Sequence, residues 1–163
     1  MMITEATIAD AEVILDLQRV AYQSEAHLYD DFNLPPLTQT IAELRASFAD
    51  HTFLKAVIDE RIVGTVRARV EKGTCHIGRL IVLPEYQRQG IGSALMAGIE
   101  KLFPHVERFE LFTGEKSTGN LRLYKRLGYT ETQRKAVSAN VVLVFMEKFM
   151  AFNKSHGEEF SRK

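Results

Sequence analysis

The chain has no tryptophan and a single cysteine, Cys75, among its 163 residues. One cysteine excludes an internal disulfide and any site built on paired thiolates, and it fits a reducing compartment. Neither sign of charge is in excess. The 21 Lys and Arg residues balance 21 Asp and Glu, so no whole-molecule field points to nucleic acid or a membrane surface. No apolar run approaches the ~20 residues that span a bilayer, and Met1–Thr7 lacks the basic and apolar regions of a signal peptide. Proline is scarce as well, standing only at 35, 36, 84 and 104. These absences predict a soluble, cytoplasmic domain with one core and without nucleic-acid or membrane partners.

The patterning that is present alternates helix and strand. Met1–Ala6 reads as an edge strand. From Asp10, the expected N-cap, Val13, Ile14, Leu17, Val20 and Ala21 recur at helical spacing, and that helix is expected to fray within residues 24–31. Pro35 and Pro36 break the chain, and a second helix after Thr38 or Thr40 carries Ile41, Leu44 and Phe48 inward. Strands follow at 52–58, 62–70 and 75–83. In the second, Ile62, Gly64, Val66, Ala68 and Val70 alternate with Thr65, Arg67 and Arg69, as in a half-buried antiparallel strand. A helix after Gly92 buries Leu95, Ile99, Leu102 and Phe103. A strand at 108–112, a helix at 119–127 closed by Gly128, and two strands within 129–149 complete the order. The fold class is α/β, a single domain over residues 1–149 with a mixed, mostly antiparallel central sheet flanked by helices. Residues 150–163 form a polar tail.

The chemistry concentrates at Gln87-Arg88-Gln89-Gly90-Ile91-Gly92-Ser93, between an apolar strand and a helix. Unpaired amides and the helix dipole make such a junction an anion seat. Gly90 and Gly92 let the main chain bend and approach a ligand, and Arg88 adds a fork-shaped cation. A nucleoside-triphosphate P-loop needs Lys and then Ser or Thr after its last glycine, but here Ser93-Ala94 follows. A dinucleotide fingerprint needs a third glycine where Leu95 stands. A plain glycine turn accounts for one glycine, not for two glycines and an arginine at a helix start.

The Gln87–Gly92 segment, with Leu80–Tyr86 before it and Asn120–Tyr129 after it, resembles the two motifs of the GNAT superfamily of acyl-CoA-dependent N-acyltransferases, and the element order agrees over residues 1–149. The resemblance implies an N-acetyltransferase that moves acetyl from acetyl-CoA, without a metal, to a primary amine by direct attack in a ternary complex. It implies that Gln87, Arg88, Gln89, Gly90, Ile91, Gly92 and Ser93 seat the pyrophosphate. The main chain of Leu80, Ile81 and Val82 would pair with the pantetheine arm, Asn120 would touch that arm, and Ser117 would act as a helix cap. Tyr124 is expected to protonate the departing thiolate. His76, and behind it Glu110, is the candidate base for the amine, since imidazole accepts protons near neutral pH. Glu25, Asp30 and Asp31 are candidates to attract a cationic small-molecule or peptide amine. The basic run of Arg122, Lys125, Arg126, Arg134 and Lys135 reads as a solvated face or as attraction for the adenosine end of CoA. Strand-like residues 139–146 permit a homodimer. The other reading of the same fold is a catalytically degenerate acyl-CoA sensor or interaction module.

Overall fold

In a computed structural model, residues 1–150 are described. Strands β1 (Met2–Glu5), β2 (Thr52–Ile58), β3 (Arg61–Glu71), β4 (Thr74–Val82), β5 (Arg108–Gly114), β6 (Thr130–Ala136) and β7 (Val142–Phe149) alternate with helices. The helices are α1 (Ala11–Tyr29), α2 (Pro35–Thr38), α3 (Ile41–Ser47), α4 (Ile91–Lys101) and α5 (Thr118–Arg126). All seven strands form one sheet in the order β1-β2-β3-β4-β5-β7-β6. Every pairing is antiparallel except β4 with β5. The expected mixed, mostly antiparallel architecture is therefore observed. The expected polar tail lies outside the described residues beyond Met150. No helix among the described residues is long and apolar enough to cross a membrane.

Two faces of the sheet carry different helices. Leu54, Val66 and Gly64 face α4, where a Cβ on Gly64 would lie 2.8 Å from the Ile81 carbonyl and 3.1 Å from Leu95. Phe53 joins Ile14, Leu15 and Leu44 in a smaller core under α1 and α3. β3 is consequently buried on both faces between Val63 and Val66, not half-exposed as its alternation predicts, because α1 covers the face that carries Thr65.

Several boundaries differ from the sequence pattern for local reasons. α1 runs unbroken to Tyr29, where Asp30 ends it in the left-handed conformation (φ 49°). Asp10 does not cap α1. Its carboxylate instead accepts from the Thr7 amide at 2.9 Å and pairs with Lys55 at 3.0 Å. Val13 and Val20 are 46% and 52% exposed, since they line an open groove with Leu17, Ile62 and Leu83. The true inward stripe runs through Ile14, Leu15, Leu17 and Gln18. Pro35 and Pro36 open a one-turn helix with proline at its first positions, where a missing N–H costs nothing. Leu102 is exposed, because α4 stops one residue earlier. Residues 142–149 enter β7, which is paired on both sides, so the edge at this end of the sheet is the fully exposed β6.

Candidate active site

The parallel pairing of β4 with β5 covers only Thr74–His76 against Arg108–Glu110. Beyond that point the two strands part, and β4 from Ile77 onward offers main-chain groups that β5 does not satisfy. An irregularity in β4 coincides with the parting. The register jumps from Arg67↔Gly78 to Thr65↔Ile81, and Arg79 takes up φ 51°, a positive angle rare for a side chain this bulky. The bulge swings Arg79 onto the α1 face, where Nη1 donates to Gln18 Oε1 at 3.3 Å and to Gln39 Oε1. Leu80 and Val82 remain on the α4 face, within 3.8 and 4.0 Å of a Cβ built on Gly92.

One mouth of the split is the glycine loop. Gly90 has φ 81°, and a Cβ there would meet nothing within 4 Å, so the loop opens onto free space in a conformation that suits glycine. Gly92 serves packing instead, since its Cβ would come 3.4 Å from Leu123. The Ala94 amide makes the first helical bond, to the Gly90 carbonyl at 3.0 Å, so those of Ile91, Gly92 and Ser93 precede the helical ladder of α4 and point outward. Arg88 is exposed with φ 63°. Gln87 and Gln89 are exposed but fold back on the main chain. Their amides donate to the Val82 carbonyl at 3.1 Å and the Glu85 carbonyl at 3.5 Å, bracing the loop. That bond also occupies one of the Val82 groups expected to face pantetheine.

The opposite wall is α5 with α1. Tyr124 is only 6% exposed and lies edge-on to Tyr129, with ring centroids 6.0 Å apart. Among the described residues its hydroxyl has no hydrogen bond, yet no buried side-chain polar atom lacks a partner there. The oxygen therefore reaches accessible space. Burial, then Tyr22 and Glu25, push its pKa up, so the phenol is protonated throughout the physiological range. Tyr22 is likewise driven up to about 12, chiefly by burial.

Ser117 stands at the start of α5 but makes no capping bond, which corrects its expected role. Its hydroxyl donates to Glu25 Oε2 at 2.8 Å and accepts from the Tyr29 hydroxyl at 2.8 Å, which in turn accepts from the Lys116 amide at 3.0 Å. The relay fixes α1 to the start of α5. Glu25 is thus committed, while Asp31 accepts from the Asn33 amide at 2.9 Å and Asp30 ends α1. Of the three candidate amine-attracting acids, only Glu25 stands at the cleft. Asn120 donates to Thr113 Oγ1 at 3.4 Å. Arg134 is held by Glu131 at 2.6 Å, and Arg122, Lys125 and Arg126 are exposed.

His76 and Glu110 lie side by side where the strands part, with Nδ1 to Oε1 at 3.8 Å. Glu110 also pairs with Arg108 at 2.7 Å, and Arg108 reaches Glu147 at 3.0 Å. Sequence reasoning missed Arg67, Arg79, Gly114 and the Tyr29–Ser117–Glu25 relay. The only signal available was the polar face of Thr65, Arg67 and Arg69, which reads equally well as solvent-facing.

The fold is a seven-stranded α/β domain with a split sheet, an open glycine loop on one side of the split and a buried phenol on the other. The chain belongs to the acetyltransferase (GNAT) family, whose model matches residues 13–129. It is 28% identical over 142 residues to UPF0157 protein YqkA of Bacillus subtilis, covering 86% of this chain but 40% of that protein's length. It is 26% identical over 146 residues to an N-alpha-acetyltransferase of Sulfurisphaera tokodaii, covering 80% of this chain and 81% of the relative. Among solved structures, a GNAT superfamily phosphinothricin acetyltransferase from Sinorhizobium meliloti in complex with AcCoA superposes with a TM-score of 0.76. The identity is 15%, over 94% of this chain and 90% of the other, which speaks for the fold.

Proposed function

We propose that the protein is an N-acetyltransferase that transfers acetyl from acetyl-CoA to a primary amine by direct attack. The observation that carries this reading is the parting of β4 from β5 at His76 and Glu110, between the open amides of α4 and the accessible hydroxyl of Tyr124. Amides from Arg88 to Ser93 hold the pyrophosphate. The unpaired edge of β4 at Leu80 and Ile81 takes the pantetheine arm as an added strand and turns an amide onto the thioester carbonyl. The amine nitrogen bonds to the carbonyl carbon, the carbon–sulfur bond breaks, and the sulfur takes up a proton. The proton shed by the amine passes to His76 or Glu110, directly or through water.

Tyr124 is the acid group facing the departing sulfur, and the thiolate finally takes its proton from water. A thiol of pKa ~8.5 is a stronger acid than a buried phenol, so complete transfer from Tyr124 in the ground state runs uphill. Its contribution is a hydrogen bond that strengthens as charge builds on sulfur. Positioning of both substrates supplies most of the remaining acceleration.

Turnover of acetyl-CoA against a panel of primary amines tests the reading. Replacing Tyr124 with Phe is expected to lower kcat about 100-fold, at the low end for loss of a general acid, with acetyl-CoA affinity little changed. Wild-type rates from the Phe variant would remove Tyr124 from the mechanism. Tight acetyl-CoA binding without turnover of any amine would favour the sensor reading.

A further inference from the structure

On the α1 face of the sheet two arginines stand together without an acid. Arg67 on β3 pairs in register with Gly78 on β4, and Arg79 follows at the bulge. Among the described residues, no carboxylate comes within 4.0 Å of either guanidinium. Arg79 is partly accounted for by the side-chain oxygens of Gln18 and Gln39. Those are neutral acceptors, and they leave its charge uncompensated. The Arg67 guanidinium makes no ion pair or side-chain hydrogen bond among the described residues. Asp50, the carboxylate that acts on it from a distance, is held by His51 at 2.7 Å. Burial, then the neighbouring Arg79, bring Arg67 down to about 10. A desolvated cation beside a second cation is costly unless an anion joins them.

Space for that anion lies next to them. A Cβ built on Gly78 would meet no atom within 4 Å, and Gly78 does not have a positive φ that would demand glycine. The missing side chain therefore leaves open space beside Arg67, its partner in the register, one residue from Arg79 and two from His76. At roughly 3.3 Å per residue along a strand, His76 lies about 7 Å from Gly78, the scale of one small metabolite. Tyr22, which feels both arginines electrostatically, and the buried Gln18, bonded to Arg79, belong to the same neighbourhood.

We infer that the acceptor is an amino carboxylate, whose amine faces His76 and whose carboxylate sits between Arg67 and Arg79 in the open space above Gly78. This rests on the transferase reading and sharpens it. The sequence offers Glu25, Asp30 and Asp31 as candidates to attract a cationic amine; in the structure Asp30 and Asp31 serve the end of α1, Glu25 at the cleft is bonded to Ser117, and two cations without an ion pair stand nearby. Arginine is suited to this role because its fork matches the two oxygens of a carboxylate.

The test uses matched pairs, each free amino acid against its own amide, with acetyl-CoA and the full chain. The wild type is expected to favour the carboxylate by at least about tenfold in kcat/KM, the effect of ~1.4 kcal/mol. In Arg67→Gln that ratio should fall towards one, and in Arg67→Lys it should be partly kept. Arg79→Gln also loosens Gln18 and Gln39, so Arg67 is the cleaner probe. Calorimetric binding of acetyl-CoA by each variant verifies that it is folded. Equal rates for acid and amide overturn the inference while the transferase reading stands. So does a preference that survives Arg67→Gln, or turnover confined to amines outside the panel. Failure of the wild type to bind acetyl-CoA overturns the transferase reading, and this inference with it.

Discussion

Single atoms decide much of the cleft wall. A Cβ on Gly114 would lie 1.9 Å from the Tyr29 hydroxyl and 2.3 Å from its Cζ, so only glycine admits Tyr29 to its bonds with Ser117 and Lys116. Gly114→Ala should cost about 1–3 kcal/mol, as for other overpacked sites, seen as a lower melting temperature. In a Tyr29→Ala background the same change should cost far less, and equal losses in both backgrounds would deny the coupling. His51 sets a pH limit at the same scale. Burial holds its pKa below the ordinary value despite Asp50 at 2.7 Å. Below ~6.5 the unfolded chain therefore binds the proton first, so stability falls as pH drops from ~6.5 through the lower folded value and is flat above it. Urea denaturation between pH 5 and 8 reads this limb, and His51→Gln should flatten it. An unchanged limb in that variant would assign the effect elsewhere.

At the scale of elements, the short β4–β5 pairing cannot by itself hold the two halves of the sheet together. Lys148 on β7 pairs with Glu100 on α4 at 3.0 Å, and the Tyr129 hydroxyl, one residue beyond Gly128, donates to Glu100 at 2.8 Å. Burial and Glu100 keep that phenol protonated, so it remains a donor. The pair is partly screened, with Lys148 and Glu100 side chains 31% and 20% exposed. Lys148→Met should therefore cost about 1–2 kcal/mol, between an exposed and a fully buried pair. A melting temperature equal to the wild type would leave the halves held by packing alone. Much of this level was legible in the sequence. The glycine loop, the period of α4 and the left-handed stop at Gly128 are local signals, read within a few residues. The split followed only from the family resemblance, and the Arg79 bulge and the Tyr29–Ser117 bond were not legible at all, because they depend on contacts such as the last, 88 positions apart. The alternation in β3 was misleading because its Thr65 face is covered by α1, a fact that no strand period contains.

For the whole molecule, the proposed function implies a domain completed by its co-substrate. The α4 half and the β5–β7 half share an apolar core and the Glu100 cluster but pair strand to strand over only three residue pairs, and a pantetheine arm along β4 would add main-chain bonds in the gap between them. A ligand that binds only the folded state adds stability by mass action, about 2.7 kcal/mol at 100 times its Kd. For a domain of this size that corresponds to a rise of about 5–10 °C in melting temperature. Acetyl-CoA and CoA should both give it, whereas NAD and ATP should not, since Leu95 and Ser93-Ala94 stand where their loops need glycine and lysine. Gly90→Glu should abolish the rise, because the new carboxylate enters the anion seat and the left-handed backbone at 81° is strained for it. Its cost to the free protein should stay near ~1 kcal/mol, as nothing lies within 4 Å of the new Cβ. A Gly90→Glu protein that melts near the wild type yet gains the full increment with acetyl-CoA would place the cofactor elsewhere and dissolve the link between the split and the chemistry.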